Sequence, residues 1–148
     1  QVVDYTLGKE RLIPYLGEGS IGLALVLSEF RKSSDVFNTN EYNEMFIRLC
    51  NVEKTFCCYS PGLLRGAMGF VLLQLLTKQN SKYNLSILQN YLLQDSKKEC
   101  LLCPGDYNYR VSLDVFTGNA GLILGLLGLK KSSWKLWIPT IQLCKEGR

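Results

Sequence analysis

Three runs of almost uninterrupted apolar residues punctuate the chain: Leu23-Ala-Leu-Val-Leu27, Phe70-Val-Leu-Leu-Gln-Leu-Leu76 and Leu122-Ile-Leu-Gly-Leu-Leu-Gly-Leu129. Each is apolar nearly all round, which predicts a helix buried on more than one side. A glycine pair opens every one of them: Gly19-Ser-Ile-Gly22, Gly66-Ala-Met-Gly69 and Gly118-Asn-Ala-Gly121. The first glycines stand 47 and 52 residues apart (19 to 66, 66 to 118), and a motif recurring at such a period marks a repeat architecture. Between the apolar runs the pattern changes. From Thr39 to Glu53, Tyr42, Met45, Phe46 and Leu49 form one stripe beside Glu41, Glu44 and Arg48. This predicts an amphipathic helix with Thr39 or Asn40 as its N-cap. Leu85 to Leu93 predicts a second, more polar helix, and Lys97 to Arg110, holding Pro104-Gly105, reads as a loop. Residues 1–14 show no strong period, and Trp134 to Leu143 predicts a short helix or extended tail interrupted at Pro139.

The expected architecture is therefore all-α: stacked helical hairpins, each with an inner apolar helix entered through glycines and, in the first two, an outer amphipathic helix. The repeats run over about 14–58, 59–108 and 109–148. Small residues at a helix entrance allow close approach of another backbone, and the N–H groups exposed there can hold polar ligands. No strand is expected before any of the three motifs, which disfavours a dinucleotide-binding fold.

With 47% hydrophobic residues and a mean hydropathy of +0.03 over 148 residues, the chain suits one globular domain and not a disordered one. The apolar stretch from Leu113 to Leu129 is broken by Asp114, Thr117, Asn119 and glycines, so no membrane span is expected. No basic-then-apolar leader opens the chain, and a cytoplasmic location follows as the expectation. The start at Gln1, without Met, suggests a piece of something longer. Residues 1–60 carry six basic and eight acidic side chains (net −2), and residues 61–148 carry eleven and five (net +6). The basic residues are scattered or paired, without interleaved aromatics, so they read as solvated surface and not as a nucleic-acid patch. Six cysteines (50, 57, 58, 100, 103 and 144) and no histidine make a zinc site unpromising, although Cys100-Leu-Leu-Cys103 has C-x-x-C spacing and Cys57-Cys58 could supply a second pair. Reduced, idle thiols are the expectation.

Three phrases carry a resemblance: Leu12-Ile-Pro-Tyr-Leu-Gly-Glu-Gly-Ser-Ile-Gly22, Pro61-Gly-Leu-Leu-Arg-Gly-Ala-Met-Gly69 and Arg110-Val-Ser-Leu-Asp-Val-Phe-Thr-Gly-Asn-Ala-Gly121. Together they resemble the C-terminal part of the lanthionine synthetase cyclases, in the kinase–cyclase (class III) branch of lanthipeptide synthetases. The resemblance implies an α/α toroid of seven hairpins, of which this chain would supply the last three. It also implies addition of cysteine thiols of a precursor peptide to dehydrated Ser or Thr, forming lanthionine or labionin rings. In the zinc-dependent members a Cys precedes one glycine motif by two residues and a Cys-His pair precedes the next. Those positions are Gly17, Leu64 and Arg65 here, none a metal ligand, which matches the zinc-free branch. Nucleotide and magnesium are expected only in a separate kinase domain. The implied partners are the precursor peptide and the rest of the toroid, with self-association of the open ends as a further expectation.

Without a metal, positive charge or positioning must replace what zinc does for a thiol. Arg65 is the candidate for stabilising a thiolate or enolate, against a structural role in an ion pair with Glu18 or Asp114. Tyr15 is a candidate proton donor. Asp114 is a candidate acid whose preferred role is to cap a helix or hold a loop. Glu18, Tyr109 and Thr117 complete the expected cavity rim as peptide-binding positions. A non-catalytic peptide-binding or scaffolding module is the main alternative. An α/α-barrel carbohydrate enzyme, using Glu18 and Asp114 as paired acids, ranks below it.

Overall fold

A computed structural model describes residues 2–4, 11–54, 58, 60–77, 85–95, 97–105 and 110–131. The apolar runs fold as expected. Helix α1 spans Ser20–Ser33, and after a short 3-10 turn (Asp35–Phe37) helix α2 spans Asn40–Cys50 with Thr39 at its N-cap. Helix α3 spans Ala67–Thr77, the short α4 spans Leu85–Gln89, and α5 spans Asn119–Lys130. Helix α3 lies between α1 and α5, while α2 packs on α1 and α4 on α3.

Burial follows from that order. Ala67, Met68, Phe70, Val71 and Leu73 of α3 are completely buried, since neighbours cover the helix on both sides. Truncating a side chain such as Phe70 costs about 3–5 kcal/mol. The flanking helices each keep an exposed apolar stripe, Leu23, Val26 and Phe30 on α1 and Ile123, Leu126 and Leu127 on α5. A smaller cluster of Ala24, Leu27 and Leu49, lined by Phe37, Tyr42 and Phe46, joins α1 to the amphipathic α2.

The all-α expectation needs correction at two places. Strands β1 (Val2–Asp4) and β2 (Arg11–Ile13) pair antiparallel ahead of the first glycine motif, and β3 (Leu93–Asp95) pairs with β4 (Cys100–Leu102) where a helix end and a loop were expected. Local hairpin closure wins there because neither stretch has enough helical period to bury a face. The polar outer helix stops at Gln89, four residues short of its expected end. The absence of a strand before the motifs also fails for the first one, where Gly17, Gly19 and Gly22 have full G-x-G-x-x-G spacing. Even so, β2 pairs antiparallel within a hairpin, not in the parallel βαβ unit that a dinucleotide fold requires. The tail from Trp134 to Leu143 lies outside the described residues. No described helix is long and apolar enough to cross a membrane.

The three helix entrances share one geometry. A Cβ on Gly22, Gly69 or Gly121 would press on the carbonyl oxygen six residues upstream, that of Leu16, Leu63 or Val115. The first glycines (19, 66 and 118) stand likewise against the carbonyls of Ile13, Ser60 and Ser112. Matching N–H groups close the loops over seven residues: Ile21 to the Pro14 carbonyl (3.1 Å), Met68 to Pro61 (3.3 Å) and Ala120 to Leu113 (3.3 Å). At Gly121 a Cβ would stand 2.2 Å from the Val115 oxygen and 2.8 Å from the Leu63 nitrogen, both backbone atoms that cannot yield. We expect Gly121→Ala to lower stability by about 2–3 kcal/mol in denaturant titration. Gly125→Ala meets the Cγ, Sδ and Cε of the fully buried Met68 side chain, which must repack, and should cost about 1–2 kcal/mol, since alanine's helix propensity offsets part of the crowding.

Candidate functional site

The repeated entrances set up a row of loops. The Gly17 N–H donates to the Leu64 carbonyl (2.8 Å), and the Leu64 N–H donates to the Phe116 carbonyl (3.2 Å). Gly17, Leu64 and Phe116 occupy the same place in their loops, five residues before the second glycine of each motif, so adjacent loops are joined through equivalent residues. The Arg65 N–H also reaches the Phe116 carbonyl (3.1 Å). Second glycines tighten the same seams: Gly69 faces Leu16 of the preceding loop, and Gly121 faces Leu63.

Side chains expected at the rim divide into two groups. At the first seam, Arg65 Nη2 donates to Glu18 Oε2 at 2.5 Å, with 45% and 63% of the two side chains exposed. Exposed pairs of this kind contribute about 0–1 kcal/mol. In the third loop, the Asp114 carboxylate turns inward on its own backbone. It accepts from the Thr117 N–H (2.8 Å), the Thr117 hydroxyl (3.2 Å) and the Ser112 hydroxyl. Partial desolvation pushes its pKa up, but hydrogen bonds from Ser112, Thr117 and the Phe116 backbone outweigh that and hold it below the usual value. Thr117, almost fully buried, therefore spends its hydroxyl inside the loop. Tyr15 is half-buried, its ring edge-on to Phe70 with centroids 6.4 Å apart. Tyr109 lies outside the described residues, as do Cys57 and Cys144.

Glycine at position 62 has a specific cause: a Cβ there would lie 2.3 Å from the Thr117 Cα of the third loop. The consequence is chemical as well as steric. Ser60 stands where Ser112 stands in the third loop, but Gly62 replaces the aspartate, and the buried Ser60 hydroxyl has no hydrogen-bond partner among the described residues.

Two contributors were not singled out from sequence. Asn119, inside the third glycine motif, accepts the Cys103 N–H on Oδ1 (2.7 Å) and so ties the segment following β4 to the start of α5. The Ser112 N–H to the Cys103 carbonyl (3.0 Å) and the Gly105 N–H to the Arg110 carbonyl (2.7 Å) extend that tie. The sequence signal was a long polar side chain where the other motifs have Ser20 and Ala67. The second is Phe116, whose carbonyl links the second and third loops. A backbone acceptor leaves no trace in residue identity.

The positions that the resemblance assigns to metal ligands do meet at a seam, since Gly17 touches Leu64, but their side chains cannot bind zinc. Among the described residues, no group of three or more His, Cys, Asp or Glu is arranged to hold a metal ion. Cys58 and Cys103 are buried, Cys50 and Cys100 half-buried, and none of the four is in a disulfide among the described residues.

Burial, with the nearby Asp114 charge second, pushes the Cys103 thiol from about 9 up to about 11. Raised in the folded state, this group favours folding fully below pH 9 and loses that contribution as pH climbs toward 11. We expect stability to fall over that window and Cys103→Ala to flatten the fall. Iodoacetamide at pH 8 should leave Cys103 unlabelled until the chain unfolds.

No protein-family model matches the chain. It is similar to the protein named Probable SapB synthase from Streptomyces coelicolor, with 29% identity over 128 residues, 78% of this chain and 13% of that protein. The chain thus spans about an eighth of its relative's length.

Proposed function

We propose that this chain is the C-terminal part of a zinc-independent lanthionine cyclase, acting on a dehydrated precursor peptide within a larger kinase–lyase–cyclase synthetase. The similarity to Probable SapB synthase supports the relation to lanthipeptide synthetases. The observation that carries the cyclase reading is the seam between the first two loops. Gly17, Leu64 and Arg65, the positions assigned by resemblance to metal ligands, lie together there, with a guanidinium in place of a ligand.

The chemistry asked of that seam is an addition. A peptide cysteine, as thiolate, forms a bond from Sγ to Cβ of a dehydroalanine or dehydrobutyrine. The alkene π pair moves toward the adjacent carbonyl as an enolate, and Cα then takes a proton, so the thiol's S–H has added across the double bond. Arg65 supplies fixed positive charge for the thiolate and the developing enolate. Tyr15, on the loop that carries Glu18, delivers the proton. Asp114 and Thr117 hold the third loop, and with it the Phe116 carbonyl that receives the Arg65 N–H. Holding peptide thiol and acceptor at one place supplies the rest by proximity. Nucleotide and magnesium belong to a separate kinase domain. The exposed apolar stripes of α1 and α5 suit docking onto further repeats of the same kind, or onto a second copy.

The alternative, a non-catalytic peptide-binding module, draws on the Glu18–Arg65 pair, which could serve structure alone. One assay separates them. The protein is given a dehydrated peptide carrying a cysteine, and ring closure is followed by thiol alkylation and mass. Arg65→Ala should slow closure about 100-fold, Arg65→Lys should retain part of the rate, and chelators should leave it unchanged. Closure by Arg65→Ala at the parental rate would remove the catalytic role of Arg65.

A further inference from the structure

Glu18, Arg65 and Thr117 hold the same place in the three loops, directly before the first glycine of each motif. Their backbones differ. Glu18 has φ 63°, whereas Arg65 and Thr117 make the corresponding turn without entering the left-handed region. That region is unfavourable for a residue with a Cβ. Such strain persists where the surroundings impose it, and it collects at functional sites. The left-handed turn lies between Gly17, bonded to the Leu64 carbonyl, and Gly19, packed on the Tyr15 and Ile13 carbonyls, and it carries the Glu18 carboxylate to Arg65 across the seam. Both side chains are about half exposed, and an ion pair in that setting is a weak source of stability. The ion pair's stability therefore does not by itself account for a glutamate, rather than a glycine, in this left-handed turn.

We propose that Glu18 is a positioning residue: its strained backbone aims a carboxylate that fixes the plane of the Arg65 guanidinium at the seam between the first two loops. A guanidinium is a rigid planar fork, so anchoring one Nη orients the whole charged group. This assignment rests on the reading of Arg65 as the charge that stabilises thiolate or enolate. It gives Glu18 a role in rate, in place of the peptide-binding role expected from sequence.

The test uses the full-length protein and a synthetic peptide carrying one dehydroalanine and one cysteine. Three variants are compared for kcat, KM and thermal midpoint: Glu18→Gly, Arg65→Ala, and the charge-swapped pair Glu18→Arg with Arg65→Glu. Glycine adopts the left-handed backbone without strain, so Glu18→Gly should keep or raise the midpoint. Its kcat should fall about tenfold with KM little changed, as expected of a misoriented catalytic group. The swapped pair should keep a near-parental midpoint but not kcat. If Glu18→Gly matches the parental rate while Arg65→Ala is impaired, the positioning role alone is overturned. A midpoint and kcat that fall together in Glu18→Gly, and recover together in the swapped pair, overturn it as well. Parental turnover by Arg65→Ala overturns the Arg65 reading, and this proposal with it.

Discussion

The structure depends on one steric constraint: at each inner-helix entrance a carbonyl oxygen lies where a glycine's Cβ would otherwise be. That oxygen belongs to the residue six positions upstream of the second glycine, Leu16, Leu63 or Val115. Because backbone meets backbone there, the loop can close over seven residues and bring its outer edge against its neighbour. The bonds from Gly17 to Leu64 and from Leu64 to Phe116 then join the loops in a row. Everything at the site is carried on that row, so a methyl group added at an entrance would shift the seam as well as the core.

The same row explains why polar residues at matching places behave differently. Asp114 folds back on its own loop because Ser112 and Thr117 surround it with donors. The middle loop has Gly62 at that place, forced by the Thr117 backbone pressed against it, and it leaves Ser60 without a partner among the described residues. The first loop has Tyr15 there, whose ring lies edge-on to the buried Phe70. The Glu18–Arg65 pair instead spans the seam between the first two loops, with both side chains about half exposed. The equivalent positions share the entrance geometry and differ in the side chains they present.

Burial records the position of each repeat in the array. Helix α3 is covered on both sides and is the most buried element described, whereas α1 and α5 keep apolar stripes open. The two hairpins, β1–β2 and β3–β4, are local additions at the entrances of the first and third loops. The second is tied to α5 through Asn119, which places the buried Cys103 thiol within the field of Asp114.

The sequence by itself determined the three apolar helices, their glycine entrances and the amphipathic α2, because helical period and the lack of a Cβ are properties of residue types at fixed spacings. It did not reveal the hairpins, whose three-residue strands are shorter than any period can register, nor the end of α4 at Gln89. Which of Glu18 and Asp114 would meet Arg65 was decided only in three dimensions. Asp114 is engaged by donors two and three residues away, while Glu18 meets a residue 47 positions on. The left-handed turn at Glu18 likewise belongs to the tertiary structure, since nothing in a glutamate's identity favours φ 63°. Spacing sets which residues can share a loop; packing between loops decides which of them touch.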